Sequence, residues 1–241
     1  MQRRTLSSIV ICLGSLAAAA CGRKPVDHHT HYYIFPDRSG SIAAAQAAQW
    51  LEAAAKFDAN LRAGDAVTII PIHANTASAP VLFERETDAA DEDAGFDESQ
   101  TSVAALTDMK TGLKQTMEAV LASQGTSPQT DIFGLVDRVR PDPAGRAVVI
   151  AILSDMEQST PELDMGSVRL LDQNIPRFIE TAARRRNWTG HELAGDSVVC
   201  ILPSRDGTPR RASNEPQTLK RFWAIFFEAL GAKLTLFDTH I

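Results

Sequence analysis

The chain is predicted to be an α/β fold, an open, doubly wound and mostly parallel sheet with helices on both faces. Two observations carry this. Short apolar runs alternate with helix-like segments from residue 30 to the end of the 241-residue chain, the pattern that builds parallel sheets through helical crossovers. Ala147–Leu153 is a continuous, largely β-branched run, the kind of strand that is covered on both faces. Internal repeats are absent, and 44% hydrophobic content is enough to fill one core.

The elements follow in order. Tyr32–Phe35 reads as a short buried strand. Ser41–Leu61 reads as an Ala-rich helix with a stripe of Ile42, Ala45, Ala48, Gln49, Leu51, Ala55 and Phe57. Gly64-Asp65 ends it, and Ala66–Ile72 is the next strand. Val81–Phe83 fits a short edge strand. The acidic stretch Glu84–Gln100, poor in large apolar residues, reads as a solvated loop, with loose calcium binding as the sharper alternative. Helices are expected over Ser102–Ser123, Asp131–Val139, Leu170–Arg186 and Thr218–Leu230. Further strands are expected over Val198–Leu202 and Lys233–Phe237. Phe222, Trp223, Ile225, Phe226 and Phe227 form an aromatic-rich stripe best explained by core packing of the last helix.

The first twenty residues stand apart from this pattern. Arg3 and Arg4 precede the apolar segment Ser8–Leu16, which is too short to span a bilayer comfortably, and Ala17–Ala20 lead into Cys21. The arrangement resembles the lipobox of bacterial lipoproteins, although Ala18 stands where leucine is usual. The resemblance implies a signal peptide over 1–20, a lipidated Cys21 opening a linker over 21–29, and a domain over 30–241. An ordinary secretory signal, with Cys21 incidental, is the alternative. Gly22 in place of a retention-type aspartate points to the outer membrane if the source is Gram-negative. The expected location is thus lipid-anchored to the cell or outer membrane, facing the periplasm or exterior.

Loss of that segment takes the 24 Lys+Arg to 22 against 30 Asp+Glu, so the net charge moves from −6 to −8. That balance argues against a nucleic-acid partner. With Cys12 removed and Cys21 acylated, Cys200 is left as the only thiol, which excludes a disulfide framework. Its apolar neighbours Val198, Val199, Ile201 and Leu202 mark it as a buried small hydrophobe. His28, His29 and His31 could bind a transition metal, but a solvated linker entering the first strand is the preferred reading.

Open α/β sheets place ligands beyond the carboxyl ends of strands, where strand order reverses. Both expected places hold chemistry. Asp37-Arg38-Ser39-Gly40-Ser41 follows the first strand as a D-x-S-x-S pattern, and Ser154-Asp155 follows the strongest strand. Gln129-Thr130-Asp131-Ile132 opens a helix between them. Here the chain resembles the von Willebrand factor A family, whose metal-ion-dependent adhesion site joins D-x-S-x-S, a later Thr and an Asp after the fourth main strand. The resemblance spans roughly residues 30–241.

It implies a site of Asp37, Ser39, Ser41, Thr130 and Asp155 for Mg²⁺, with Mn²⁺ or Ca²⁺ as substitutes. The hydroxyls would touch the ion and the aspartates would act largely through water. Mg²⁺ takes six oxygens at about 2.0–2.1 Å and keeps several waters, so two carboxylates and three hydroxyls suit it. By the resemblance, an acidic side chain of a protein partner fills the open position. Helix capping by Ser39 or Ser41, or by the Thr130–Asp131 pair, is the plainer alternative, and Thr126 is a rival to Thr130. Met156-Glu157-Gln158, which follows Asp155, departs from the Asp-Gly common in the family, which bears on loop shape.

The expected function is therefore a non-enzymatic, membrane-tethered, metal-dependent protein-binding module. Two alternatives stay open. A haloacid-dehalogenase-like phosphohydrolase would use a similar aspartate, but needs a second acid where Ser39 stands. A structural lipoprotein would use any bound ion only to hold its fold. No G-x-S-x-G elbow supports a serine hydrolase.

Overall fold

The computed structural model describes residues 29–39, 44–89, 96–123, 125, 127–203 and 216–239, with 44–45 and 96–99 described in backbone only. The elements are β1 (Thr30–Pro36), α1 (Ala44–Asn60), β2 (Ala66–Ile69), β3 (Phe83–Glu86), α2 (Phe96–Ala122), β4 (Ala147–Leu153), β5 (Ser159–Thr160), β6 (Leu163–Asp164), α3 (Ile175–Arg186), β7 (Ser197–Ile201), α4 (Pro216–Ala229) and β8 (Lys233–Asp238). Six strands form one sheet in the order β3-β2-β1-β4-β7-β8. All neighbours run parallel except the antiparallel edge strand β3. This is the predicted α/β, open, doubly wound, mostly parallel sheet. Strand order reverses between β1 and β4, which pair over their whole length from Thr30↔Ala147 to Pro36↔Leu153.

Alternation along the central strands feeds two cores. Ile34, Ala151, Leu153 and Ile201 face α1 and α2, where Trp50, Phe57, Met109, Leu113 and Met117 close over them. Phe35, Ile150, Ile152, Val198 and Cys200 face the other side, against Phe133, Ile179 and the α4 residues Phe222, Trp223, Phe226 and Phe227. Period-2 side-chain direction in β-branched strands is the cause. The aromatic stripe of α4 is core, as expected, with Phe133 stacked on Phe226 at 4.9 Å between centroids. Cys200 is fully buried, and burial pushes its thiol pKa up, so it is inert as a nucleophile. Among the described residues no helix is long and apolar enough to cross a membrane.

Several expectations need correction. The buried face of α1 is Trp50, Ala53, Ala54 and Phe57, continued by Leu61, while Ala48 and Ala55 are exposed. Alanine fits either face, so the indole of Trp50 sets the helix phase. The strand expected to end at Ile72 ends at Ile69, with Ile72 forming only an isolated bridge to Asp37. The acidic stretch is not one loop, because Phe83–Glu86 pairs with β2 and α2 begins at Phe96; residues 90–95 lie outside the described residues. Asp131–Val139 is a 3₁₀ turn over Phe133–Leu135 followed by turns, not a helix. The helix expected from Leu170 starts at Ile175, with Pro176 in its first turn, where a missing N–H costs nothing.

His31 is also corrected. It is a β1 residue, 8% exposed, stacked on Tyr33 and hydrogen-bonded to Asp142 and Thr68 at 2.9 Å each. A carboxylate only accepts, so Nδ1 donates to Asp142 and Nε2 accepts from the Thr68 hydroxyl. His28 lies outside the described residues, as do residues 1–20 and Cys21.

Candidate metal centre

The chain leaves β1 between two neighbouring strands. Asp37 N–H donates to Leu153 O at 2.9 Å and Arg38 N–H to Ile72 O at 3.0 Å, so the turn after β1 is held by backbone on both sides. Within it, Asp37 Oδ1 accepts from Ser39 N–H at 2.7 Å, the local bond that short acidic side chains make readily. Asp37 Oδ2 accepts from the Ser154 hydroxyl at 2.7 Å, which ties this turn to the end of β4. Asp37 is 2% exposed. Ser41 and Gly40 lie outside the described residues.

Beyond β4, Asp155 Oδ1 accepts from Glu157 N–H at 3.0 Å, and Ser154 Oγ accepts from Met156 N–H at 3.0 Å. Met156 has φ +62°, the left-handed region that glycine takes without strain, where a side chain costs about 1–2 kcal/mol. This is the position at which the D-G pattern would put glycine. Here the strain is offset by packing. The Met156 side chain is fully buried in the α3/α4-side core, and its carbonyl accepts from Trp223 Nε1 at 2.9 Å.

Thr130 reaches the same place by a third route. Its backbone exchanges two hydrogen bonds with Ser159, at 3.2 and 2.9 Å. Gln158 reinforces the contact: its Oε1 accepts from the N–H groups of Ile132 and Phe133, at 2.7 and 3.2 Å. Next to Thr130, Asp131 Oδ1 accepts from Gly134 N–H at 3.1 Å and from Arg186 at 2.9 Å. Asp131 therefore carries out the capping role, and the Thr130 hydroxyl does not. Arg186 is itself clamped by Asp137 and Glu162 and lies over the ring of Trp188. The partner loop comes close enough that a Cβ on Gly125 would fall 2.0 Å from Arg38 O and 2.6 Å from Ser39 O.

Ser39, Thr130 and Asp155, with Ser127, Pro128, Glu157 and Ser159, line one open pocket of about 400 Å³ at the carboxyl ends of β1 and β4. Asp37 is buried behind this pocket, bonded to its lining residue Ser39 and to Ser154. Burial, then the nearby Asp155 charge, push the Asp37 carboxyl up to about 6, against the hydrogen bonds from Ser154 and Ser39. Two carboxylates that repel each other in a poorly solvated place, flanked by hydroxyls, form an oxygen-only donor set of the type hard divalent cations take. Among the described residues no three His, Cys, Asp or Glu side chains gather as a metal cluster, so a site here must draw on hydroxyls.

Of the five residues expected at the site, four are described and converge: Asp37, Ser39, Thr130 and Asp155. Thr126 lies outside the described residues. Reading the sequence missed Ser154, Gln158, Arg186 and Gly125 as supports. Only Ser154 had a local signal, its place beside Asp155 at a strand end. The others act across 25 to 87 positions of chain, where no spacing rule applies.

No family model matches the chain, and no curated protein matches it. Among solved structures it is similar to a von Willebrand factor type A protein from Catenulispora acidiphila, with TM-score 0.45 and 13% identity over 87% of this chain. The chain spans 38% of that protein's length. It is also similar to the conserved hypothetical protein BatB from Bacteroides thetaiotaomicron, with TM-score 0.37 and 15% identity, covering 87% of this chain and 90% of that one.

Proposed function

We propose that this chain is a von Willebrand A-type, non-enzymatic binding module that takes a protein partner through a divalent cation. The observation that supports it is the convergence of Asp37, Ser39, Thr130 and Asp155 where strand order reverses, with a buried carboxylate beside a second one. Ser39, Ser41 and Thr130 would hold Mg²⁺, with Asp37 and Asp155 supplying the balancing charge. When bound, the ion supplies a Lewis-acidic position for a partner carboxylate. The chain's own residues keep that position shaped: Ser154 pins Asp37, and Gln158 with the Ser159 backbone pins Thr130.

A phosphohydrolase would need Asp37 as attacking group. Both its oxygens are engaged, by Ser39 N–H and the Ser154 hydroxyl, at 2% exposure. That supports the binding reading over the catalytic one.

Isothermal titration of the chain with Mg²⁺ and Mn²⁺, against the double variant Asp37→Ala/Ser39→Ala, tests the proposal. Saturable heat confined to the unaltered chain is expected, and equal heats for both proteins overturn it. Membrane tethering through a lipid on Cys21 belongs to the same proposal and rests on the residues before it. Mass spectrometry of the N-terminal peptide from native membranes checks it, and an unmodified cysteine overturns it.

A further inference from the structure

Arg38 stands between Asp37 and Ser39, yet its side chain serves neither. Its backbone N–H goes to Ile72. Its side chain lines a second open pocket of about 360 Å³ with His73, Ala74, Ser127 and Pro128. Ser127 and Pro128 also line the cation pocket, so the two share a wall. Among the described residues the Arg38 Nε, like that of Arg138, is buried without a hydrogen-bond partner, and no acidic residue lines this second pocket. The contrast with Arg146 and Arg186 is sharp, since each of those is tied to two or more carboxylates. His73 Nδ1 accepts from Asn75 N–H at 3.1 Å, which leaves Nε2 as the proton-bearing nitrogen in the neutral ring.

A guanidinium at the wall of an open pocket can take an arriving anion through charge-assisted hydrogen bonds. Placed beside a cation site, its charge also disfavours a bare ion and favours an ion that comes with an anionic ligand. Its planar fork suits a carboxylate bound bidentately.

We propose that Arg38 and His73 form a second carboxylate subsite contiguous with the cation position, so that the partner is a short acidic segment presenting two carboxylates. One would meet the cation and the other the Arg38 guanidinium. This deepens the cation-dependent reading above and rests on it. Chain chemistry selects the partner: a single acidic residue occupies half of the site, and two nearby acidic residues occupy both halves.

The test uses acetylated, amidated hexapeptides carrying either one Glu or two Glu residues at varied separation, titrated into the chain in Mg²⁺ and in EDTA. At least one two-Glu peptide should bind on the order of 10-fold more tightly than the one-Glu peptide in Mg²⁺. Arg38→Gln should abolish that gain and leave Mg²⁺-dependent one-Glu binding in place, because the Arg38 backbone bond to Ile72 survives the substitution. Arg38→Lys should restore part of the gain. Mg²⁺-dependent binding with no benefit from a second Glu overturns the subsite alone. Peptide binding that is absent, or equal in Mg²⁺ and EDTA, overturns the cation reading and this inference with it. Tighter binding of inorganic phosphate than of any two-Glu peptide also overturns the carboxylate assignment.

Discussion

The Ser154 hydroxyl donates to Asp37 Oδ2 at 2.7 Å, joining residues 117 positions apart across the strand-order reversal. Both groups are buried. Ser154→Ala removes one donor from the Asp37 carboxylate and the acceptor of the Met156 N–H. The expected loss is about 1–3 kcal/mol of folding stability, read from urea unfolding midpoints with an unchanged slope. Stability within a few tenths of a kcal/mol of the unaltered chain would show that the bond carries little.

Metal dependence should appear as a stability difference that one atom removes. Excess Mg²⁺ at about 100 times its Kd stabilises a one-site protein by about 2.7 kcal/mol, or roughly 5–10 °C in Tm for a domain of this size. Asp37→Asn keeps an acceptor for Ser39 N–H and can donate to Ser154 Oγ, so the turn should survive. The variant should match or exceed the unaltered chain in EDTA, since a buried charge is gone, and should gain nothing from Mg²⁺. Paired thermal melts in the two buffers check both statements.

Gly125→Ala tests the close approach behind the turn. The added methyl would meet backbone oxygens of Arg38 and Ser39, which cannot swing away as a side chain would. The turn carrying Ser39 must shift, so Mg²⁺ affinity is expected to fall by on the order of 10-fold, in line with misplaced metal supports. Calorimetric titration of the variant provides the number, and unchanged affinity would mean the two loops separate at little cost.

At the opposite pole of the sheet, His31 makes stability depend on pH. Burial lowers its pKa from the ordinary 6.5, outweighing the hydrogen bond and charge of Asp142, while Arg146 lowers it further and Glu84 opposes. The unfolded chain therefore takes up a proton at higher pH than the fold does. Stability is fully present above 6.5 and is lost as pH falls from 6.5 towards the lowered folded value. Urea midpoints between pH 7.5 and about 5 should decline in the unaltered chain and decline less in His31→Gln. Parallel profiles would remove His31 as the cause.

Much of this molecule was legible in the order of its residues. Ala147–Leu153 has its predicted bounds as β4, because a continuous β-branched run leaves few other solutions. Asp37 and Ser39 were readable for a similar reason: their bond spans two residues and follows a strand end. What only the tertiary structure decided is how far-apart pieces meet. Trp50 sets the phase of an alanine-rich helix that its own pattern leaves ambiguous, and Gln158 and Arg186 seat the segment Asp131 to Phe133 from 25 to 55 positions away. Met156 takes a glycine's backbone conformation because Trp223 and the core hold it there. Local hydrogen bonding and side-chain period are written within a few residues and can be read there. Burial, long-range pairing and strain are properties of the packed whole, since each depends on which distant surfaces exclude water together.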